Sequence, residues 1–366
     1  VRLHGSVWRP EDPPKVDSEY LDKVHYFVNA MRREGIYSTL SIYFPLWMQP
    51  QADSPIKGYN GDKHPFASLF FDPAFQGIYR GWWHDLLTKK NPYSGVPLSK
   101  DPAVAILELT NEDSYFFWTF TPYENIPPAQ MEILESQFGA WLAKKYGTID
   151  NALAAWGAQR VRGDEPAARR VGFVPLWSMF NSPGQRQRDT AEFLARSQRS
   201  FFDQSRAFLR GSLGYKGLVY GSNWTTADAR VLGPLDKWTN AGMDLLDRHG
   251  YFDIGHKGDG ASYSVQVGHT YLDQSALLFK DENGQENFSL PVMDLRYNNL
   301  PSINTEINWT MPNRYRADLP LVAAAYGGLQ GSDGVFFFAL GGTNWSSTIG
   351  KFPWQTPLGL GQMPAT

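Results

Sequence analysis

The stretch Val104-Ala105-Ile106-Leu107-Glu108-Leu109-Thr110-Asn111-Glu112 runs an apolar strand straight into a polar Asn-Glu pair. A strand buried on both faces reads as such a near-continuous apolar run. Polar residues at its carboxyl end occupy the position where parallel α/β folds place their chemistry. Pro301-Ser302-Ile303-Asn304-Thr305-Glu306-Ile307-Asn308-Trp309 repeats the arrangement around a second carboxylate, Glu306.

Working outward, Tyr20, Leu21, Val24, Phe27, Val28 and Met31 fall at helical spacing, with Asp17 or Ser18 as cap and Gly35 as stop, which predicts a helix over 17–34. A strand over 36–44 follows, then a helix over 73–90 and the strand over 103–109. This βαβα order is that of a parallel sheet. Residues 113–215 exceed what one connecting helix needs and predict helices over 131–146, 149–156 and 189–213. Strands resume at 217–222, 243–251, 302–308 and 335–340, and the Gly/Ser/Asp/Asn-rich segment 258–301 reads as a long βα loop of the kind that carries function.

Seven strands result, near residues 1, 36, 103, 217, 245, 302 and 335, where a (β/α)8 barrel has eight. The expectation is a single (β/α)8 TIM-barrel domain over 1–366, with a helical insertion after strand four in 113–215. The chain is expected to be truncated before strand two and after strand eight. Arg2 then ends strand two, Glu112 strand four and Glu306 strand seven.

Composition narrows the function classes. Hydrophobic residues make up 42% and charged residues 19%, which excludes a disordered chain. A net charge of −3 argues against a nucleic-acid partner, which calls for a basic patch. No apolar run approaches the roughly 20 residues of a membrane helix. There is no Cys, so neither a disulfide framework nor a thiolate nucleophile is available and redox chemistry does not assign a compartment. No signal peptide is visible, and a secreted or periplasmic location stays open. Aromatic residues reach 15%, a surplus over ordinary packing that suits stacking on sugar rings, although most such rings fill cores.

Two carboxyl groups on two strand ends suit glycoside hydrolysis, in which one protonates the leaving oxygen while the other attacks or activates water at the anomeric carbon. Leu109-Thr110-Asn111-Glu112 together with Thr305-Glu306 resembles clan A of the retaining glycoside hydrolases. The segment Phe138-Gly139-Ala140-Trp141-Leu142-Ala143-Lys144-Lys145-Tyr146-Gly147, followed by Ala152-Leu153-Ala154-Ala155-Trp156-Gly157, is similar to the region after strand four in family 42 β-galactosidases and their relatives. The neighbourhoods of Glu306 and Tyr251 do not point to one exact family.

The resemblance implies that Glu112 is the acid/base, Glu306 the nucleophile and Asn111 the group that holds the sugar 2-hydroxyl. It further implies that Arg2 hydrogen-bonds the nucleophile and that Tyr251, in His249-Gly250-Tyr251, modulates its charge. His4 lies on the same strand face as Arg2 and is expected to line the cleft with His249. Asn223, Trp224, Trp309 and Trp345 are expected at loop mouths as sugar contacts.

The implied function is a retaining β-glycosidase acting by double displacement on an oligo- or polysaccharide, with no cofactor, no metal and a carbohydrate as partner. The sugar, the linkage and the oligomeric state are not legible. Two other readings stay open. One is a non-catalytic carbohydrate-binding barrel. The other is a metal-dependent hydrolase using Asp247, His249, Asp253, His256 and Asp259, whose spacings match no common ligand pattern.

Overall fold

The computed structural model describes the chain apart from residues 10–11, 182, 253–256, 260, 262–266, 272, 279–289, 295–299, 310–312 and 340–366. Two compact units emerge, Val1–Asp244 and Leu245–Thr366.

The first unit opens with strand β1 (Arg2–His4), then β2 (Trp8–Arg9) and β3 (Asp12–Val16), which pair as an antiparallel hairpin. Helix α1 (Ser18–Arg33) follows. Asp17 caps it by accepting from the N–H groups of Glu19 and Tyr20, and its buried residues Leu21, Val24, His25 and Val28 form one stripe at 3.6-residue spacing. Strand β4 (Ser38–Ser41) is buried along its whole length. The short helix α2 (Ser68–Phe71) and helix α3 (Pro73–Thr88) come next, the latter started by Asp72 as cap and Pro73 in its first turn.

Strand β5 (Val104–Glu108) leads to four helices, α4 (Pro128–Tyr146), α5 (Ile149–Ala155), α6 (Ser178–Asn181) and α7 (Gln185–Gly211). Buried Asp189 on α7 ties three of these together. It accepts from Lys145 Nζ and Tyr146 Oη at the end of α4 and from the indole N–H of Trp156 just past α5. Strand β6 (Leu218–Tyr220) and helix α8 (Leu232–Asn240) complete the unit.

The parallel sheet of this unit runs β1-β4-β5-β6. Its register places His4 beside Ser41, Ser41 beside Glu108 and Glu108 beside Tyr220, so one row crosses the last residues of all four strands. The apolar core beneath includes Val28, Leu40, Phe75, Trp82, Leu107 and Val219.

The second unit contains β7 (Leu246–Phe252), β8 (Ser302–Trp309), helix α9 (Asp318–Gln330) and β9 (Gly334–Phe337), with the three strands in a parallel sheet of order β7-β8-β9. Phe252, Leu290, Ile307, Trp309, Leu319 and Val322 form its core.

All seven expected parallel strands are present. Among the described residues they form sheets of four and three strands, and not one closed ring of eight. The hairpin β2–β3 and helices α2, α6, α8 and α9 were not anticipated. Strand β8 runs on to Trp309, so Glu306 lies inside the strand and not at its end. Among the described residues no helix is long and apolar enough to cross a membrane.

Candidate active site

Glu108 is the organising residue of the first unit's sheet end. It is 1% exposed and takes four hydrogen bonds, from Arg2 Nε at 2.7 Å, Arg2 Nη2 at 3.0 Å, the Ser41 hydroxyl at 2.7 Å and the Tyr220 hydroxyl. A carboxylate offers about four lone-pair sites, so Glu108 is saturated and serves as an anchor. Arg2 reaches it from two residues back along the same strand face. Its rigid fork also sends Nη2 to Asn111 Oδ1 at 2.7 Å.

That contact orients Asn111. Arginine can only donate, so the amide oxygen must face Arg2, and Asn223 Nδ2 approaches the same oxygen at 3.4 Å. The Asn111 Nδ2 group is thereby left as the donor end of the amide. The next residue, Glu112, has φ +44°. This left-handed conformation costs an L-residue about 1–3 kcal/mol. The Oδ1 atom of buried Asn223, just beyond β6, accepts the Glu112 backbone N–H at 2.9 Å and helps hold the kink. Glu112 is half-buried.

Asp113, directly after, is fully buried and receives the Ala67 N–H at 3.0 Å. Burial pushes its carboxyl up to about 8. His4 sets Nδ1 2.8 Å from Ser41 Oγ and packs its ring against Trp47 with centroids 4.4 Å apart. Burial and the neighbouring Arg2 charge hold its imidazole well below the ordinary histidine range, so the ring is neutral. Trp224 is half-buried and meets Phe117 edge-on at 4.9 Å.

In the second unit Glu306 is 4% exposed and accepts from the Tyr251 hydroxyl, while His249 Nδ1 lies 3.5 Å away. The other nitrogen of His249 is 2.9 Å from Thr305 Oγ1, whose hydroxyl is held in turn by Asp247. Strand register accounts for the grouping, since β7 sets His249 beside Glu306 and Tyr251 beside Asn308. A register shift between Asp247 and His249 re-aims these side chains.

The structure thus brings together Arg2, His4, Asn111, Glu112 and Asn223 in one unit, and His249, Tyr251 and Glu306 in the other. Arg2 is shown bonded to Glu108, a partner the sequence reading did not single out. Trp309 stands three residues from Glu306, an odd step that sends it to the opposite strand face. There it is fully buried against Phe252. Trp345 lies outside the described residues. So do Asp253 and His256 of the metal reading, while its Asp247 is engaged by Thr305 and its Asp259 is exposed.

Sequence reasoning missed Glu108, Ser41, Tyr220 and Thr305. Glu108 did carry a signal, as the one charge in an apolar strand.

No family model and no curated protein sequence matches the chain. Among solved structures it is similar to the protein PfGH50B, at 10% sequence identity and a TM-score of 0.50, covering 90% of this chain and 44% of that one. An exo-β-agarase gives 13% identity, TM-score 0.46 and coverage of 88% and 42%. The hyperthermostable endo-1,4-β-D-mannanase from Thermotoga petrophila RKU-1 gives 11%, 0.47, and 94% and 78%. These neighbours are glycoside hydrolases of TIM-barrel type. The chain spans less than half the length of the first two. At 10% identity the match with PfGH50B is a likeness of fold alone.

Proposed function

We propose that this chain is a retaining β-glycosidase in which Glu306 is the nucleophile and Glu112 the acid/base. The observation that carries the reading is the Glu306 carboxylate itself, almost fully buried on a parallel strand yet supplied with a phenol donor from Tyr251. A buried carboxylate left without donors would take up a proton, whereas a hydrogen bond to its charged form favours the ionised state a nucleophile needs.

Glu306 attacks the anomeric carbon as Glu112 gives its proton to the leaving oxygen. In the second step Glu112 takes a proton from water, which releases the sugar with its configuration retained. Asn111 suits a supporting role, because Arg2 and Asn223 hold its amide oxygen and leave Nδ2 as the donor for a sugar hydroxyl.

Proton NMR of the first-formed product from aryl β-glycosides and β-linked oligosaccharides tests the reading. The β-anomer is expected first. Glu306→Gln should abolish turnover, and Glu112→Ala should keep part of its activity on activated aryl glycosides and be rescued by azide. Inverted product, or Glu112→Ala losing all substrates equally without rescue, would refute these roles. Sugar binding with no turnover by the wild-type chain would favour a non-catalytic carbohydrate-binding barrel.

A further inference from the structure

The hydroxyl of Ser41 has one proton to give and two lone pairs to fill. Its proton goes to Glu108 Oε1 at 2.7 Å, because a carboxylate paired with Arg2 can only accept. One lone pair faces Arg2 Nη2 at 3.3 Å. His4 Nδ1, at 2.8 Å, therefore has to be the donor to the other. That count puts a proton on Nδ1, and because burial and the Arg2 charge keep the ring neutral, Nε2 is left with a bare lone pair. Among the described residues nothing bonds Nε2, and His4 is half-buried, not sealed in the core.

His4 closes β1, and the half-buried Trp47 lies in the turn beyond β4, so both occupy carboxyl ends of parallel strands. Phe44 packs on Trp47 with centroids 5.7 Å apart, and Trp8 sits 6.5 Å from it, which braces the indole from its sides.

We propose that His4 and Trp47 form a subsite for a neutral hydroxylated ring, in which His4 Nε2 accepts a hydrogen bond from one sugar hydroxyl and the Trp47 face packs against the ring's C–H groups. The inference rests on the glycosidase reading for its ligand class but not for its geometry. A ligand that offers a donor to Nε2 is accepted. One that offers no donor there, such as a deoxy or O-methyl sugar, is disfavoured, and an anion gains nothing from a ring that carries no charge.

Two measurements on the full chain decide it. Two-bond proton–nitrogen NMR of histidine-labelled protein, with the His4 signal assigned from its loss in His4→Gln, should show Nδ1 protonated and Nε2 bare at pH 7. An Nε2–H tautomer or an imidazolium overturns the proposal whether or not the chain cleaves any sugar. Calorimetry with a panel of neutral β-linked disaccharides of glucose, mannose and galactose supplies the second readout. His4→Phe should bind roughly tenfold more weakly, the size of one hydrogen bond. His4→Gln, which restores an acceptor, should bind more tightly than His4→Phe.

A folded His4→Phe that binds as tightly as wild type overturns the subsite and leaves the glycosidase standing. Binding that depends on His4 without any turnover does the reverse. Binding of no sugar in the panel overturns both.

Discussion

Glu112 combines a candidate proton donor with a backbone that only glycine adopts freely, and the two properties can be separated by substitution. Its φ of +44° strains any residue with a Cβ. Glu112→Ala and Glu112→Gly both delete the carboxyl, so their difference isolates the backbone. In an ordinary helix or strand glycine is the less stable of the two. Here Glu112→Gly is expected to be the more stable by about 1 kcal/mol, as read by urea unfolding, while both lose general-acid function. A glycine variant less stable than the alanine variant would mean that the kink is not strained.

At this scale the sequence was informative where chemistry is local. Asn111 and Glu112 stand out as polar residues after an apolar run. Ser41 and Tyr220 did not, and Glu108 showed its charge but not its role, because what they do arises only when four strands that are distant in sequence align.

The cluster these strands assemble is a property of elements. Arg2 on β1, Ser41 on β4, Glu108 on β5 and Tyr220 on β6 hold one another in a buried cluster that bridges the whole sheet of the first unit. The side chains of the Arg2–Glu108 pair are 4% and 0% exposed. Breaking such a pair from one side leaves an uncompensated buried charge, which costs about 3–5 kcal/mol. Arg2→Ala is therefore expected to lower unfolding stability by that order. Arg2→Lys should recover only part of the loss, since an ammonium cannot fork to both Glu108 oxygens and still reach Asn111. Full recovery by lysine in denaturant titrations would show that charge alone, and not the fork, holds the cluster.

Elements were legible in proportion to how plainly they carry a period. Helix α1 has a clean apolar stripe and a side-chain cap, and was visible. The β2–β3 hairpin was hidden because Asp12-Pro13-Pro14-Lys15-Val16 contains two prolines, which lack ladder donors and signal a loop. Helix α8 carries Gly233 and Pro234. Helix α9, with Leu-Pro-Leu-Val-Ala-Ala-Ala-Tyr-Gly-Gly-Leu, is apolar nearly all round and shows no face.

Across the whole molecule, buried Asp113 and half-buried His4 give stability a pH dependence of opposite sign. Asp113 is raised to about 8 by burial, against an unfolded value of about 3.9. Between those limits the native state keeps a proton that the unfolded chain has released. Stability from Asp113 is complete below about pH 4 and is lost as the pH rises towards 8, at up to about 1.4 kcal/mol per unit. His4 is depressed, by burial first and by Arg2 second. The unfolded chain binds a proton below about 6.5 that the native ring refuses, so stability is present above that pH and falls as the solution turns acid.

The two effects oppose each other from about pH 4 to 6.5, and only that of Asp113 acts from 6.5 to 8. Asp113→Asn should therefore gain on wild type steadily from pH 6.5 to 8.5, and His4→Gln should gain on it below 6.5. Urea unfolding of the three proteins at pH 4.5, 6.5 and 8.5 checks both signs. An Asp113→Asn variant that loses as much stability as wild type between 6.5 and 8.5 would mean that Asp113 is already ionised in the native fold. Its contact with the Ala67 N–H would then be that of a buried carboxylate.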